Sequence, residues 1–262
     1  MLIADRNGMA VSGGWQNPYV TDGLVAMWDG IWNAGPGVHD NSITDWVDLT
    51  GNQKSFHADA PVWSADHCTC DGTFASCFHC ATAAESQWFF DLLATGVYTI
   101  EFLYEKYEAH GNNSYFTCGF DNTYTPGLFT RYAGANTTKA GFFTWMKGGN
   151  EAELLLDGTG YLNTKLYDVC CAGDSCQLFL HGEGESSNVV LPWQTAINID
   201  TSGGKGNLFR YAFFCRGDGY SVASSAGGRL YRLAIYSKAL DAEEVASNYE
   251  VDAIRFNLTG GA

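Results

Sequence analysis

Residues 96–107, GVYTIEFLYEKY, alternate without a break. Tyr98, Ile100, Phe102 and Tyr104 fall on one side; Thr99, Glu101, Leu103 and Glu105 fall on the other. A period of two marks an extended strand with one buried face, because successive side chains point to opposite sides of a sheet. The aromatic side is the expected core face, and the side bearing Glu101 and Glu105 the expected solvated one. Similar runs recur as SYFTCGF, GLFTRYA, AGFFTWM, EAELLL, CQLFLHG, LFRYAFFC and RLYRLAIY. Between them lie DNTYTPG, GGN, DGTG, TSGGKGN and RGDGYS, which are turn compositions. One segment reads as a helix. In ALDAEEVASNYE, 239–250, Asp241 is placed as N-cap and Glu244, three residues on, completes a capping box. Leu240, Val245 and Tyr249 lie on its packed side. AAESQWFFDLL, from Ala83, admits a helical turn or a strand, since its aromatic triplet suits a sheet.

Composition sharpens this into an all-β expectation. Aromatics are 15%, charged residues only 16%, and Gly reaches 31 of 262 residues, as suits strands joined by tight turns. No composition break, linker or repeat divides the chain. It reads as an N-terminal arm, 1–19, a single domain, 20–256, and a short tail, 257–262. The arm either docks elsewhere or is a disordered lead-in. The net charge of −15 repels phosphate backbones and anionic lipid, so nucleic acid and membrane surfaces are excluded as partners. No run is long and apolar enough to insert in a membrane. The first twenty residues hold no signal-peptide core. Nine cysteines, an odd number, fit free thiols in a reducing cytoplasm better than a disulfide framework.

Two stretches carry a family resemblance. DGLVAMWDGIWNAG and DWVDLTGN, within 22–52, resemble the opening strand and W-x-D-L-(S/T)-G-N turn of laminin-G-like domains, members of the concanavalin A-like lectin/glucanase superfold. GRLYRLAIYSKALDAEEVASNYEVD, 228–252, resembles the closing strand and short capped helix of that family. GVYTIEFLYEKY and CQLFLHGEG are similar to its F-T-I-E strand and L-Y-x-N-G hairpin. The resemblance implies a jelly-roll sandwich of two antiparallel sheets with one C-terminal helix. It implies no single activity, since the superfold hosts lectins, hydrolases and structural modules.

Candidate chemistry is sparse. HCTCDGTFASCFHC, 67–80, packs four cysteines and two histidines into fourteen residues. Asp71-Gly72 predicts a two-residue hairpin that sets Cys70 opposite Thr73 and Cys68 opposite Ala75. Ligands strung along a strand at about 3.3 Å per residue cannot surround one zinc ion. Cysteine here reads as a small buried residue, with a metal site or a disulfide as the alternatives. In VCCAGDSC, Cys170 and Cys171 point to opposite faces. Glucanases of the resembled superfold carry E-x-D-x-x-E on one strand face, which supplies the two carboxylates of glycoside hydrolysis. This chain lacks that run. Glu101 and Glu105 share a face without the intervening Asp, and Glu151 and Glu153 read as an exposed edge, so no catalytic residue is assigned.

Loop aromatics are the better lead. Trp32, Tyr124 and Trp145 lie in or beside loops rich in Gly, Asn and Asp, where a ring can stack on a sugar. Arg216, in the RGD of 216–218, could fix hydroxyls. The alternative is that the rings plug the ends of the domain. The resemblance also admits calcium, for which Asp40, Asp121 and Asp218 are the candidate ligands, though calcium needs six to eight oxygens. The expected function is a non-catalytic recognition or assembly module that binds carbohydrate or a cell surface. A lectin-like fold made without a secretion signal suits a phage virion accessory such as a head decoration, fibre or tail protein. Its partners would then be other virion or cell-surface proteins and copies of itself in a homo-oligomer. The alternatives are a glycoside hydrolase, and an intracellular scaffold that docks through its arm.

Overall fold

The structure is a computed structural model that describes residues 3–4, 10–11, 17–54, 56–71, 74–76, 78–79, 83–106, 114–118, 128–131, 139–146, 150–157, 165–172, 176–180, 211–213 and 227–258. In chain order the elements are β1 (Ile3–Ala4), β2 (Ala10–Val11), β3 (Leu24–Asp29), β4 (Val62–Trp63), β5 (Cys68–Asp71), α1 (Ala83–Ala94), β6 (Tyr98–Lys106) and β7 (Ser114–Cys118). They continue as β8 (Leu128–Arg131), β9 (Lys139–Met146), β10 (Asn150–Asp157), β11 (Lys165–Ala172), β12 (Cys176–Leu180), β13 (Tyr211–Phe213), β14 (Gly227–Tyr236) and α2 (Ala242–Arg255). Every run picked out by its alternation contains a strand, so most of the described elements are antiparallel strands.

The strands form a five-stranded sheet in the order β10-β9-β8-β7-β13, a seven-stranded sheet, and a separate β1–β2 pair. The seven-stranded sheet runs β12-β11-β6-β14-β5-β4, with β3 also paired to β14. β14 is its centre. One edge follows β6 from Gly228↔Lys106 to Tyr236↔Thr99, while the other pairs first with β5 and then with β3. The strands that meet on β14 lie more than 100 residues before it in sequence, so this sheet is a product of long-range pairing. β10, which carries Glu151 and Glu153, closes one end of the five-strand order.

The capping box is present as expected. Asp241 accepts from Glu243 N and Glu244 N, and the Glu244 carboxylate accepts from Asp241 N. Leu240 and Val245 are buried and Tyr249 packs against them, but the helix runs on to Arg255. AAESQWFFDLLA is a helix of twelve residues, not a strand. Phe89 and Leu92 are buried one turn apart, so the aromatic run is read by a helical face, and Lys54 Nζ lies 4.8 Å over the Trp88 ring.

Two expectations are corrected. The expected pairing of Cys68 with Ala75 is not formed. β5 pairs instead with β14, through Cys70↔Gly228 and Cys68↔Leu230, and with β4. Ala75 lies in a short helical turn, Phe74–Ser76, pinned where Asp71 N donates to Ser76 Oγ at 3.0 Å and the Cys70 thiol donates to Ser76 O at 3.2 Å. Gly227 and Gly228 stand opposite Asp71 and Cys70 in this pairing. Cys68 and Cys70 are buried, as is Cys171, whereas Cys77 and Cys80 lie outside the described residues.

The second correction concerns β6. Tyr98, Ile100, Phe102 and Tyr104 are buried as expected, but the opposite face is buried too. Glu101 is 0% exposed and Glu105 6%, so this is no solvated strand face. α2 and the segment around Tyr19 lie over it. Tyr19, Met27, Leu103, Tyr167, Tyr236 and Val245 belong to one apolar cluster there. A β-bulge helps to build that face. The register of β14 against β6 shifts between Leu230 and Arg232. An extra residue in one strand breaks the strict alternation. Tyr231 and Arg232, neighbours in sequence, both reach carboxylates of the β6 face, Glu105 and Glu101 respectively.

Candidate binding face

The face of the seven-stranded sheet under α2 is built in transverse rows, because residues paired across strands share a side. Val169, Glu101, Ala234 and Met27 form one row, and Tyr167, Leu103, Arg232 and Asp29 the next. Both are closed over. Arg232 sits at their centre with no exposed side-chain surface. Its Nε donates to both Asp252 oxygens at 2.9 Å, and its Nη1 and Nη2 donate to Glu101 Oε2 at 3.1 Å. Glu101 also accepts from Tyr167 Oη at 2.8 Å and from Asn248 Nδ2 at 2.9 and 3.1 Å. Tyr19 Oη donates to Asp252 at 2.7 Å and accepts from Arg255, which pairs with Asp29. Two cations thus face three carboxylates beneath one helix. These groups bind helix, sheet and N-terminal segment into one body, and none of them is open to a ligand.

One carboxyl carries the strain of this burial. Desolvation pushes Asp252 up to about 6, against the pull of the Arg232 guanidinium. Unfolded, the group titrates near 3.8. Between those values the folded chain holds a proton that the unfolded chain has released, so stability from this group falls as pH rises from about 4 to about 6. Below and above that window its contribution is flat. Urea midpoints at pH 4, 5, 6 and 7 are expected to show this decline in the parent chain and a shallower one in Asp252→Asn. Equal slopes in the two proteins would remove Asp252 as the cause.

The next row lies beyond the end of the closed region. Lys165, Glu105, Arg229, Thr69 and Val62 are abreast on five neighbouring strands, β11, β6, β14, β5 and β4. Here the surface opens. The Arg229 side chain is 38% exposed and that of Lys165 27%, while Thr69 is half-buried and Val62 exposed. Glu105 turns inward, whereas the Asp66 side chain is 35% exposed and pairs with Lys165 Nζ at 3.9 Å. Glu105 accepts from Arg229 Nη1 at 3.0 Å and from Tyr231 Oη at 2.9 Å. Burial, and then the hydrogen bond to Glu105, hold the Tyr231 phenol far above its ordinary value, so it stays a donor. Lys165 Nζ lies 4.7 Å from the Tyr231 ring centre and donates to Phe256 O. Asp66 pairs with His67 Nδ1 at 2.6 Å, and that hydrogen bond holds its carboxyl below the usual range. Gly30 lets the Asp66 turn come this close: a β-carbon there would stand 2.3 Å from Asp66 O, inside any tolerable contact.

The residues singled out from sequence fall elsewhere. Trp32 is 7% exposed, with the Arg255 guanidinium 3.9 Å over its ring; it faces the interior and presents no stacking surface. Asp40 is exposed and accepts from Ser42 N and Oγ, both at 2.7 Å. The backbone of Trp145 lies in β9, opposite Glu151, not in a loop. Tyr124, Arg216, Asp121 and Asp218 lie outside the described residues. Among the described residues no three His, Cys, Asp or Glu side chains form a set that would hold a metal ion. No helix among them is long and apolar enough to cross a membrane. Arg229, Tyr231 and Lys165 were missed. The signal was two arginines inside RLYRLAIY, an otherwise apolar strand: a charge in a core-type run needs a partner.

With the geometry in place, known proteins bear on it. No family profile matches this chain, and no curated protein does. Solved structures do. Trypanosoma rangeli sialidase in complex with sialic acid matches at TM-score 0.57 and 12% identity, over 88% of this chain and 33% of that one. Domain 4 of a GH43 extracellular arabinanase from Geobacillus stearothermophilus, in complex with arabinotriose, matches at 0.56 and 11%, over 86% of this chain and 98% of that one. The receptor-binding domain of botulinum neurotoxin type G matches at 0.57 and 9%, over 88% and 52%. The likeness is one of fold. This chain spans about a third of the sialidase and about half of the toxin fragment.

Proposed function

We propose that this chain is a non-catalytic recognition module that takes a saccharide on the open row of the seven-stranded sheet. The row of Lys165, Glu105, Arg229 and Thr69 carries the reading. It offers donors and acceptors abreast on rigid strands, the placement that hydroxyl recognition needs. The sheets would pack as a two-layer, concanavalin A-like sandwich. The arabinanase domain lends support: it is solved in complex with arabinotriose, and this fold covers it almost end to end.

Catalysis by the β6 carboxylates is disfavoured on spacing. Glu101 and Glu105 are four residues apart on one strand, about 13 Å at about 3.3 Å per residue. Glycosidases need their two carboxyls about 5–10 Å apart. Glu101 is moreover sealed beneath α2. The virion setting rests on the sequence argument; there, several copies would present the row together and gain avidity.

A glycan array probed with the purified chain, once with calcium and once with EDTA, tests the reading. Binding that survives EDTA and weakens in Arg229→Ala is expected. Binding lost with EDTA would move the site to calcium-holding loops such as that of Asp40. No binding in either condition would overturn the proposal.

A further inference from the structure

Each cation of the open row stands beside an anion. Arg229 Nη1 donates to Glu105 at 3.0 Å, and Lys165 Nζ lies 3.9 Å from Asp66 Oδ2. The two pairs differ. Arg229 and Glu105 share a direct hydrogen bond, and the carboxylate is only 6% exposed. Lys165 and Asp66 are exposed to 27% and 35% at their side chains, and 3.9 Å is too long for a direct hydrogen bond. The charges of the row therefore cancel in pairs. The more open pair offers a donor and an acceptor side by side, with a gap between them.

We infer that the saccharide taken by this row is neutral, and that one of its hydroxyls bridges Lys165 and Asp66; this rests on the recognition reading above. A hydroxyl accepts from an ammonium and donates to a carboxylate at once, whereas a ligand carboxylate only accepts. Two hydrogen bonds of about 2.8 Å each span the gap with the hydroxyl at their apex. Its seating exchanges a partly exposed ion pair, which is worth little, for two charge-assisted hydrogen bonds. Both arms of the bridge are held in place. The Tyr231 ring and the Phe256 carbonyl hold Lys165, and His67 Nδ1 pairs with the other Asp66 oxygen at 2.6 Å. Arg229, whose side chain is 38% exposed, serves a further hydroxyl two strand spacings away, about 9.6 Å at about 4.8 Å each. An acidic sugar fares worse at both pairs. Its carboxylate would meet Asp66 with like charge. To reach Arg229 it would compete with Glu105, whose other donor is the Tyr231 hydroxyl. The net charge of −15 adds no attraction for an anion. Asp66 is thus the residue that sets the row against acidic saccharides.

An array of neutral, uronate-bearing and sialate-bearing glycans, followed by calorimetry of the strongest binder, tests this. The strongest binder is expected to be neutral. Its affinity should change less than about twofold between about 0.1 M and about 1 M salt, over which the screening length falls from about 10 to about 3 Å. Asp66→Asn keeps the shape of the side chain and leaves Lys165 uncompensated. It should weaken the neutral ligand about tenfold, the size of a charge-assisted contact, and raise binding of the acidic glycans. Lys165→Met should weaken the neutral ligand by a similar factor without admitting acidic ones. That split between the two variants is one that a merely structural role would not produce. Thermal melts show whether they remain folded; if Asp66→Asn is unfolded, Lys165→Met and the salt dependence decide the matter. An acidic glycan as strongest binder, or an affinity that falls about tenfold or more with salt, would leave the recognition reading standing and overturn the neutral assignment. Unchanged affinity and selectivity in the folded variants would also overturn it. Binding of no saccharide at all would end both.

Discussion

Arg232→Met is expected to destabilise the fold by about 3–5 kcal/mol, the penalty for leaving buried charge unpaired. Arg232 donates to Asp252 and Glu101 at once, and all three side chains have no exposed surface. Methionine has similar volume, so the loss reports charge and not a cavity. Two carboxylates would remain in a dry interior, with Tyr19, Tyr167 and Asn248 as their neutral donors. The triple variant Arg232→Met, Glu101→Leu, Asp252→Leu separates the two meanings of such a network. Breaking a buried ion pair is costly, but replacing it whole with apolar groups is often neutral or stabilising. The triple variant should therefore recover much of what the single one loses. Guanidinium denaturation checks both. A single variant within about 1 kcal/mol of the parent would mean the network is wetter or looser than its geometry says.

Tyr19→Ala should produce a loss of similar size, about 3–5 kcal/mol, the range for truncating a buried aromatic. The ring lies 4.4 Å from the Arg232 guanidinium carbon and 5.6 Å from that of Arg255. Its hydroxyl links Asp252 to Arg255. Tyr19→Phe keeps the ring and removes only that link, for which about 1–3 kcal/mol is expected. The pair apportions packing and hydrogen bonding by thermal or chemical melts. If Tyr19→Ala is tolerated, this segment is not part of the cooperative unit. The result also governs experiments on the arm. Tyr19 was placed at the end of an arm of 1–19, yet it is buried beneath α2, and Val20 N donates to Asn248 Oδ1 at 2.8 Å. A deletion ending at residue 16 tests the arm, whereas one reaching Tyr19 tests the core.

The DWVDLTGN turn shows how a sequence motif maps onto a physical task. In DWVDLTGN the Asp48 carboxylate accepts from Met27 N at 3.1 Å, Thr50 N at 3.0 Å and Lys54 N at 3.1 Å. It ties the turn to β3, and the motif is legible because one side chain organises residues near it in sequence. The open row had no such signature. Its members come from five strands, and only pairing brings them abreast.

Periodicity and capping identified the strands and α2, because those depend on side-chain alternation and on hydrogen bonds within a few residues. Composition likewise set the all-β character and the acidic charge. Which strands pair, and which faces are covered, was beyond such local signals. Alternation says that the two sides of β6 differ, but not that a helix more than 130 residues away will seal the second. The bulge that turns Tyr231 and Arg232 toward carboxylates on the same face of β6 is likewise a property of the pairing. So is the fate of Cys68 and Cys70, which pair with β14. Burial, and with it the roles of Glu101, Glu105 and Arg229, is decided where distant segments meet, since the free energy of removing a group from water depends on everything that comes to cover it.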